Sequence, residues 1–155
     1  MECSNDRRGL TLIEIMISVA IIAIIVAAYI SVANPFGQLA SSRNNTRTLN
    51  LQTFSLAIGQ NIADQGNETF SCAAGSIPTS TTDMGSAVGE YNIAPCLVPT
   101  YMAALPFDPS ASSAYYMSIS SYNTGYSIAQ NASCSITLSA PHAELSQTIS
   151  KVVSY

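Results

Sequence analysis

The sequence predicts an α+β protein: a long N-terminal α-helix, half membrane-spanning and half amphipathic, packed on a small antiparallel β-sheet. Three observations predict it. An apolar run over residues 9–33 is long enough to cross a bilayer. Helical spacing resumes over residues 38–63. Short alternating runs rich in Tyr, Ile and Ser then follow over residues 115–139.

The apolar run reads GLTLIEIMISVAIIAIIVAAYISVA and contains a single charge, Glu14; the next charged residue is Arg43. A bilayer core of about 30 Å needs about 20 apolar residues at ~1.5 Å each. A lone carboxylate inside such a run is costly in lipid, which points to a partner for it. Arg7 and Arg8 precede the run and place the N-terminus in the cytoplasm, with the rest of the chain outside. A cleaved secretory signal is the competing reading. The run is long for one, and the nearest small-x-small site is Ser31-Val32-Ala33.

Composition bounds the function. A chain of 155 residues fits one folded domain. Only 9% of residues are charged, against a usual share of about 25%. The region after Arg43 is rich in Ser, Thr, Asn, Ala and Tyr, giving the neutral polar surface of secreted or packed fibre proteins. The net charge is -4 and no basic patch extends beyond Arg43 and Arg47, so direct nucleic-acid binding is not signalled. His142 is the only histidine. Neither a nucleophile elbow, nor a P-loop, nor a dinucleotide fingerprint is present, and no cysteine spacing reads as a zinc site. The expectation is a non-enzyme without cofactor or metal.

The elements follow in order. Asn34-Pro35-Phe36-Gly37 predicts a helix kink at Pro35 and Gly37, or a plain helix end. Beyond it, Leu51, Phe54, Ala57, Ile58 and Ile62 form the clearest apolar face, and Gly66 supplies a stop. Residues 67–94 read as an exposed loop. In residues 96–109, Leu105 and Phe107 are placed to close the sheet's end while Pro106 and Pro109 stiffen the crossing. Strands are expected at residues 115–120 and 125–129, with a turn at 121–124, and again at 134–139. The tail forms a turn and a last short strand near residues 149–155. The tyrosines fit a half-buried sheet better than a ligand platform.

Arg7-Arg8-Gly9-Leu10-Thr11-Leu12-Ile13-Glu14, followed by the apolar run, resembles the class III prepilin signal of bacterial type IV pilins and type II secretion pseudopilins. The resemblance implies a pilin-like fold. It also implies cleavage after Gly9 by a prepilin peptidase and N-methylation of Leu10, where most members carry Phe or Met. Glu14, with Leu10 and Thr11, is implied in subunit assembly, its carboxylate pairing with the N-terminal amine of a neighbour. Residues 97–109, LVPTYMAALPFDP, resemble the LVPxYLxxLPxDP block that precedes the sheet in pseudopilin-like proteins. Asp108 resembles the calcium-bearing loop of major pseudopilins. Those loops carry further acids, and none lies between Asp108 and Glu144 here.

The resemblance divides the chain into a leader (1–9), a transmembrane and fibre-core helix (10–34), an amphipathic half (35–65) and a globular head with a three- to four-stranded sheet (66–155). Removal of the leader takes Cys3 with it. Cys72, Cys96 and Cys134 remain and allow three pairings. Cys72–Cys96 is selected because it would staple the long loop. Sequons stand at Asn44, Asn67 and Asn131.

The implied function is a structural subunit of a type IV pilus-like filament, serving adhesion, motility or DNA uptake. The alternatives are a pseudopilin acting in type II protein export, and a single-pass anchored binding domain that does not polymerise. Implied partners are copies of itself or related pilins, the prepilin peptidase, an inner-membrane assembly platform with its ATPase, and membrane lipid before assembly. Localisation is the inner membrane as an N-in precursor, then an extracellular pilus or periplasmic pseudopilus.

Overall fold

The computed structural model describes residues 9–66 and 69–154. The expectations placed on Cys3, Arg7, Arg8 and Asn67 lie outside the described residues. The chain divides into two compact units, Met1–Gln38 and Leu39–Tyr155.

In the first unit, helix α1 (Leu12–Ala33) is apolar all round. Its large side chains are exposed along its whole length, from Ile13 to Val32. A helix without a polar face suits lipid or a partner helix rather than water, and this one is long and apolar enough to cross a membrane. Its two serines bond back to the helix: Ser18 donates to the Glu14 carbonyl (2.7 Å) and Ser31 to the Ala27 carbonyl (3.1 Å). Neither serine proton is left to face hydrocarbon.

Asn34 closes α1 in the left-handed conformation, φ 38°. Helix α2 (Pro35–Gln65) begins at the next residue, with Pro35 at a position where no donor is needed. The Asn34 side chain accepts the Gly37 N–H at 3.2 Å, so one residue ends α1 and caps α2. A Cβ at Gly37 would stand 2.6 Å from the Asn34 amide nitrogen, so the cap needs a glycine there.

In the second unit, α2 buries Leu51, Phe54, Ala57, Ile58 and Ile62, the face the spacing predicts. The helix ends at Gln65, and Gly66 follows at φ 63°. The sheet comprises β1 (Thr82–Gly85), β2 (Tyr115–Ser118), β3 (Ser121–Gln130), β4 (Ile136–Ala140) and β5 (Ile149–Val153). The five strands pair antiparallel, in the order β1-β3-β4-β5, with β2 also on β3. Tyr122, Tyr126 and Ile128 of β3 and Ile136 and Leu138 of β4 alternate inward onto α2. Phe54 meets Tyr126 edge-on with ring centres 6.1 Å apart, and Asn50 donates to the Tyr126 hydroxyl at 2.8 Å. The short helix α3 (Ala94–Leu97) adds Ala94 and Leu97 to the same core.

Four expectations are corrected. The sheet has five strands, not three or four, because β1 lies inside the stretch read as loop. Its sequence, Thr-Asp-Met-Gly, shows no alternating apolar pattern, yet it pairs with β3 and buries Met84. Residues 121–124 are strand rather than turn. The two-residue connection is Ile119-Ser120, set by the Ser118–Ser121 pair. Gly125, expected to open a strand, is an irregularity inside the longer β3. The step from Asp83 to Gly85 on β1 is matched by the longer step from Ser127 to Asn123 on β3. Gly125 has φ 71°, and a Cβ there would come 2.9 Å from the Asp108 Cβ. Finally, Leu105 is buried as expected but Phe107 is 45% exposed. The Asn50 side chain takes the Phe107 carbonyl at 3.2 Å, and it is the neighbouring Asp108 that turns inward.

Candidate functional site: the N-terminal segment

Gly9 and Leu10 are exposed residues ahead of α1, in no helix or strand. Among the described residues nothing lies within 4 Å of a Cβ placed on Gly9, so on that side its backbone is open to approach. Thr11 is the N-cap: its Oγ1 and its carbonyl both accept the Glu14 N–H, at 3.3 and 3.1 Å. Thr-x-x-Glu is the sequence signature of a capping box, legible in residues 11–14 although sequence reasoning gave Thr11 only an assembly role. Glu14 therefore stands in the first turn of α1, where the helix dipole favours a negative charge. No hydrogen bond or ion pair to its carboxylate occurs among the described residues.

The acids of the head are placed differently. Asp108 and Arg47 are both fully buried and joined by two bonds, Nε–Oδ2 at 2.7 Å and Nη2–Oδ1 at 3.0 Å. The Asp108 carboxylate also accepts the N–H groups of Ser110 and Ala111, each at 2.9 Å. Burial pushes this carboxyl up, but the guanidinium and the two amides more than offset it and hold it below the usual range. Asp108, the calcium candidate, thus has its oxygens taken by an arginine and the backbone. The described residues contain no group of three or more potential metal ligands.

Arg47 reaches further, to Glu144 at 3.0 Å, the Asn44 side chain at 2.8 Å and the Ser110 hydroxyl at 2.6 Å. Arg43 closes the group with two bonds to Glu144, at 2.7 and 2.6 Å. Hydrogen bonds from Arg43 and then Arg47 lower the Glu144 carboxyl to about 2. This network ties α2 to the loops before β2 and between β4 and β5, and sequence spacing gave no sign of it. Asn44, one of the sequons, is buried within it: its amide donates to the Glu144 carbonyl and the Gln147 side chain.

Cys72 and Cys96 form a disulfide with Cα atoms 5.1 Å apart, joining the segment ahead of β1 to α3. Cys134 is free and exposed. Asn61 on α2 holds the same loop by exchanging two hydrogen bonds with the Ser71 backbone, at 3.2 and 3.0 Å.

Residues 4–30 match the family model described as the prokaryotic N-terminal methylation motif. No curated protein and no solved structure matches the chain. The match spans Gly9, Leu10, Thr11, Glu14 and most of α1, the segment with the open backbone, the capped start and the uncompensated acid. The chain carries a class III prepilin signal, the N-terminal signature of the type IV pilin and pseudopilin family.

Proposed function

We propose that the chain is a structural subunit of a type IV pilus-like filament. A prepilin peptidase hydrolyses the Gly9–Leu10 bond on the cytoplasmic face, and the freed Leu10 amine is methylated. Residues 10–34 then reside in the inner membrane until an assembly platform and its ATPase draw the subunit into a fibre, where the same helix forms the core. Residues 35–65 are the amphipathic half of the stem and residues 66–155 the outward head, with Asn34, Pro35 and Gly37 marking the junction.

The observation that carries this reading is the methylation motif laid over an apolar helix whose one acid has no partner among the described residues. A carboxylate at mid-helix depth in lipid costs about 2.5–3.5 kcal/mol on insertion scales, and less near the interface. The cationic Leu10 amine of a neighbouring subunit would offset that cost and would do so at only one axial offset. Register is the best-attested use of a buried charge pair. Leu12 to Val32 would supply the packing surface around it.

The pseudopilin reading is favoured by residues 97–109, whose proline-bracketed block leads from α3 to the sheet. In that case the fibre stays short and periplasmic and works in protein export. N-terminal sequencing of the exported protein and microscopy of sheared cells test both readings. Methylated Leu10 at the mature terminus is expected, and another terminus would refute the processing step. Long surface fibres containing the protein would exclude the piston role. Normal filaments from E14A or E14V chains would refute the register role of Glu14, whereas absence of the protein from any filament would favour a plain anchored domain.

A further inference from the structure

Two sequons fall wholly on described residues, Asn44-Asn45-Thr46 and Asn131-Ala132-Ser133, and the fold treats them oppositely. Glycosylation of such a motif needs an asparagine amide nitrogen that a transferase can reach, followed two residues on by a hydroxyl it can read. Asn44 offers neither. It lies in α2 and is 2% exposed. Its Nδ2 donates to the Glu144 carbonyl at 2.8 Å and to the Gln147 side chain at 2.9 Å, which uses both of its protons. The Thr46 hydroxyl is turned back onto the Ser42 carbonyl at 3.2 Å.

Asn131 is placed the other way. The β3–β4 register ends at the Gln130–Ile136 pair, so residues 131–135 form the tip of that hairpin. Asn131, Ala132 and Ser133 are all exposed. The tip is closed by its own backbone: the Asn131 N–H donates to the Ser135 carbonyl and the Cys134 N–H to the Asn131 carbonyl, each at 3.0 Å. The Asn131 Oδ1 accepts the Ser133 N–H at 3.0 Å and the Ser135 N–H at 2.9 Å. These two donors fix the amide plane. Its Nδ2 and the Ser133 hydroxyl make no hydrogen bond among the described residues.

The same geometry suits the chemistry. An amide nitrogen is a poor nucleophile because its lone pair is shared with the carbonyl. Losing a proton frees the pair and moves negative charge onto the oxygen. Two backbone N–H groups already aimed at that oxygen stabilise such charge, as the donors of an oxyanion hole do.

We propose that Asn131 is an N-glycosylation site and that Asn44 is not. The donor is an oligosaccharide carried on a polyprenyl diphosphate and handled by a membrane transferase. The bond from Nδ2 to the sugar C1 forms and the C1–O bond to the diphosphate breaks. The lipid diphosphate leaves with the electron pair, and the Nδ2 proton passes to a base of the transferase. The proposal rests on the export of the head in the function given above, which brings the hairpin and the lipid-linked donor to one side of the membrane.

The test isolates the full chain from its native host as wild type, N131Q, S133A and S133T, and maps its peptides by mass spectrometry with electron-transfer fragmentation. The expected result is a sugar mass on Asn131 in wild type and S133T, its loss in N131Q and S133A, and a bare Asn44 throughout. S133A keeps every hydrogen bond of the tip, all of which are made by other groups or by the Ser133 backbone, so loss of the sugar there is not a folding defect. A bare Asn131 in wild type overturns the proposal, as does a sugar that survives in S133A or one found on Asn44. The same map reads the N-terminus. An uncut leader refutes the processing step alone, because the head of an N-in precursor also faces the donor.

Discussion

Replacing Arg47 with Met tests whether the buried ion cluster holds the head together. Arg47 is fully buried and is the shared donor to Asp108, Glu144, Asn44 and Ser110. Met fills similar volume without charge. It leaves Asp108 ionised and fully buried with only two backbone amides for partners. Removing one partner of a buried pair costs about 3–5 kcal/mol, because the other charge stays desolvated. In a unit of roughly 120 residues, with about 2.1 cal/mol/K of unfolding entropy per residue, that is a fall of about 12–20 °C in Tm. The double variant R47M/D108N separates charge from shape. The asparagine introduced by D108N would keep an acceptor for the Ser110 and Ala111 amides but would bury no charge. Thermal melts of the full chain in detergent, followed by near-UV circular dichroism, should rank wild type first, R47M/D108N second and R47M last. An R47M melt within about 2 °C of wild type would refute the reasoning, as would a double variant no better than R47M.

Other outcomes follow from the same geometry. Asp108 and Glu144 both titrate below their ordinary values in the folded chain. Below the ordinary range the unfolded state therefore binds more protons than the folded one. Their contribution is complete above about pH 5 and is lost as pH falls through about 2, so Tm should decline steadily over that window; a flat Tm between pH 5 and 2.5 would contradict it. C72S/C96S opens a 24-residue separation, worth about 3.5 kcal/mol by loop-closure entropy, and should lower the urea midpoint accordingly. F54A empties a fully buried site against Tyr126 and should cost about 3–5 kcal/mol in urea titration. Burial raises the Tyr122 and Tyr126 hydroxyls to about 12, so ultraviolet titration should show these two ionising only as the head unfolds.

The parts legible in the sequence are those governed by local pattern. The apolar face of α2 repeats with the helix, and Leu51, Phe54, Ile58 and Ile62 are buried as spacing requires. The Gly66 stop and the terminal strand follow rules that act within a few residues. The parts that escaped depend on distant chain. β1 has neither alternation nor β-branched residues beyond Thr82, and pairing with β3, with a bridge to Tyr91 on its other edge, makes it a strand. Asn-Thr-Gly at 123–125 has the chemistry of a turn. The Asp108 segment, whose N–H bonds the Thr124 carbonyl at 2.8 Å, packs against it and makes it a bulge. The Arg47 cluster joins residues about 60 and 100 positions apart, and no short spacing announces such a contact. The N-terminal segment is the opposite case. Its signal is linear, and in the proposed function a peptidase and a bilayer read it before any tertiary contact matters.

Charge placement links these two regimes. In a chain where 9% of residues are charged, each one is a decision about where polarity is tolerated. In the head, Asp108 and Glu144 meet their cations within the same fold, and apart from a few exposed charges such as Asp64, Asp83 and Lys151 the surface is left to Ser, Thr, Asn and exposed apolar residues such as Met117 and Val152. Contacts between heads made of such side chains have little electrostatic selectivity, so they would tolerate sliding. α1 has the same weakness in stronger form, since isoleucines and alanines pack acceptably at many offsets. Glu14 is the one charge in that helix, and it has no cation among the described residues. In the proposed filament it is consequently the element that can discriminate one offset from its neighbours. E14Q keeps shape and hydrogen bonding but removes the charge. It should therefore leave membrane insertion intact and yield fewer or disordered fibres, a result that distinguishes a register role from a purely steric one.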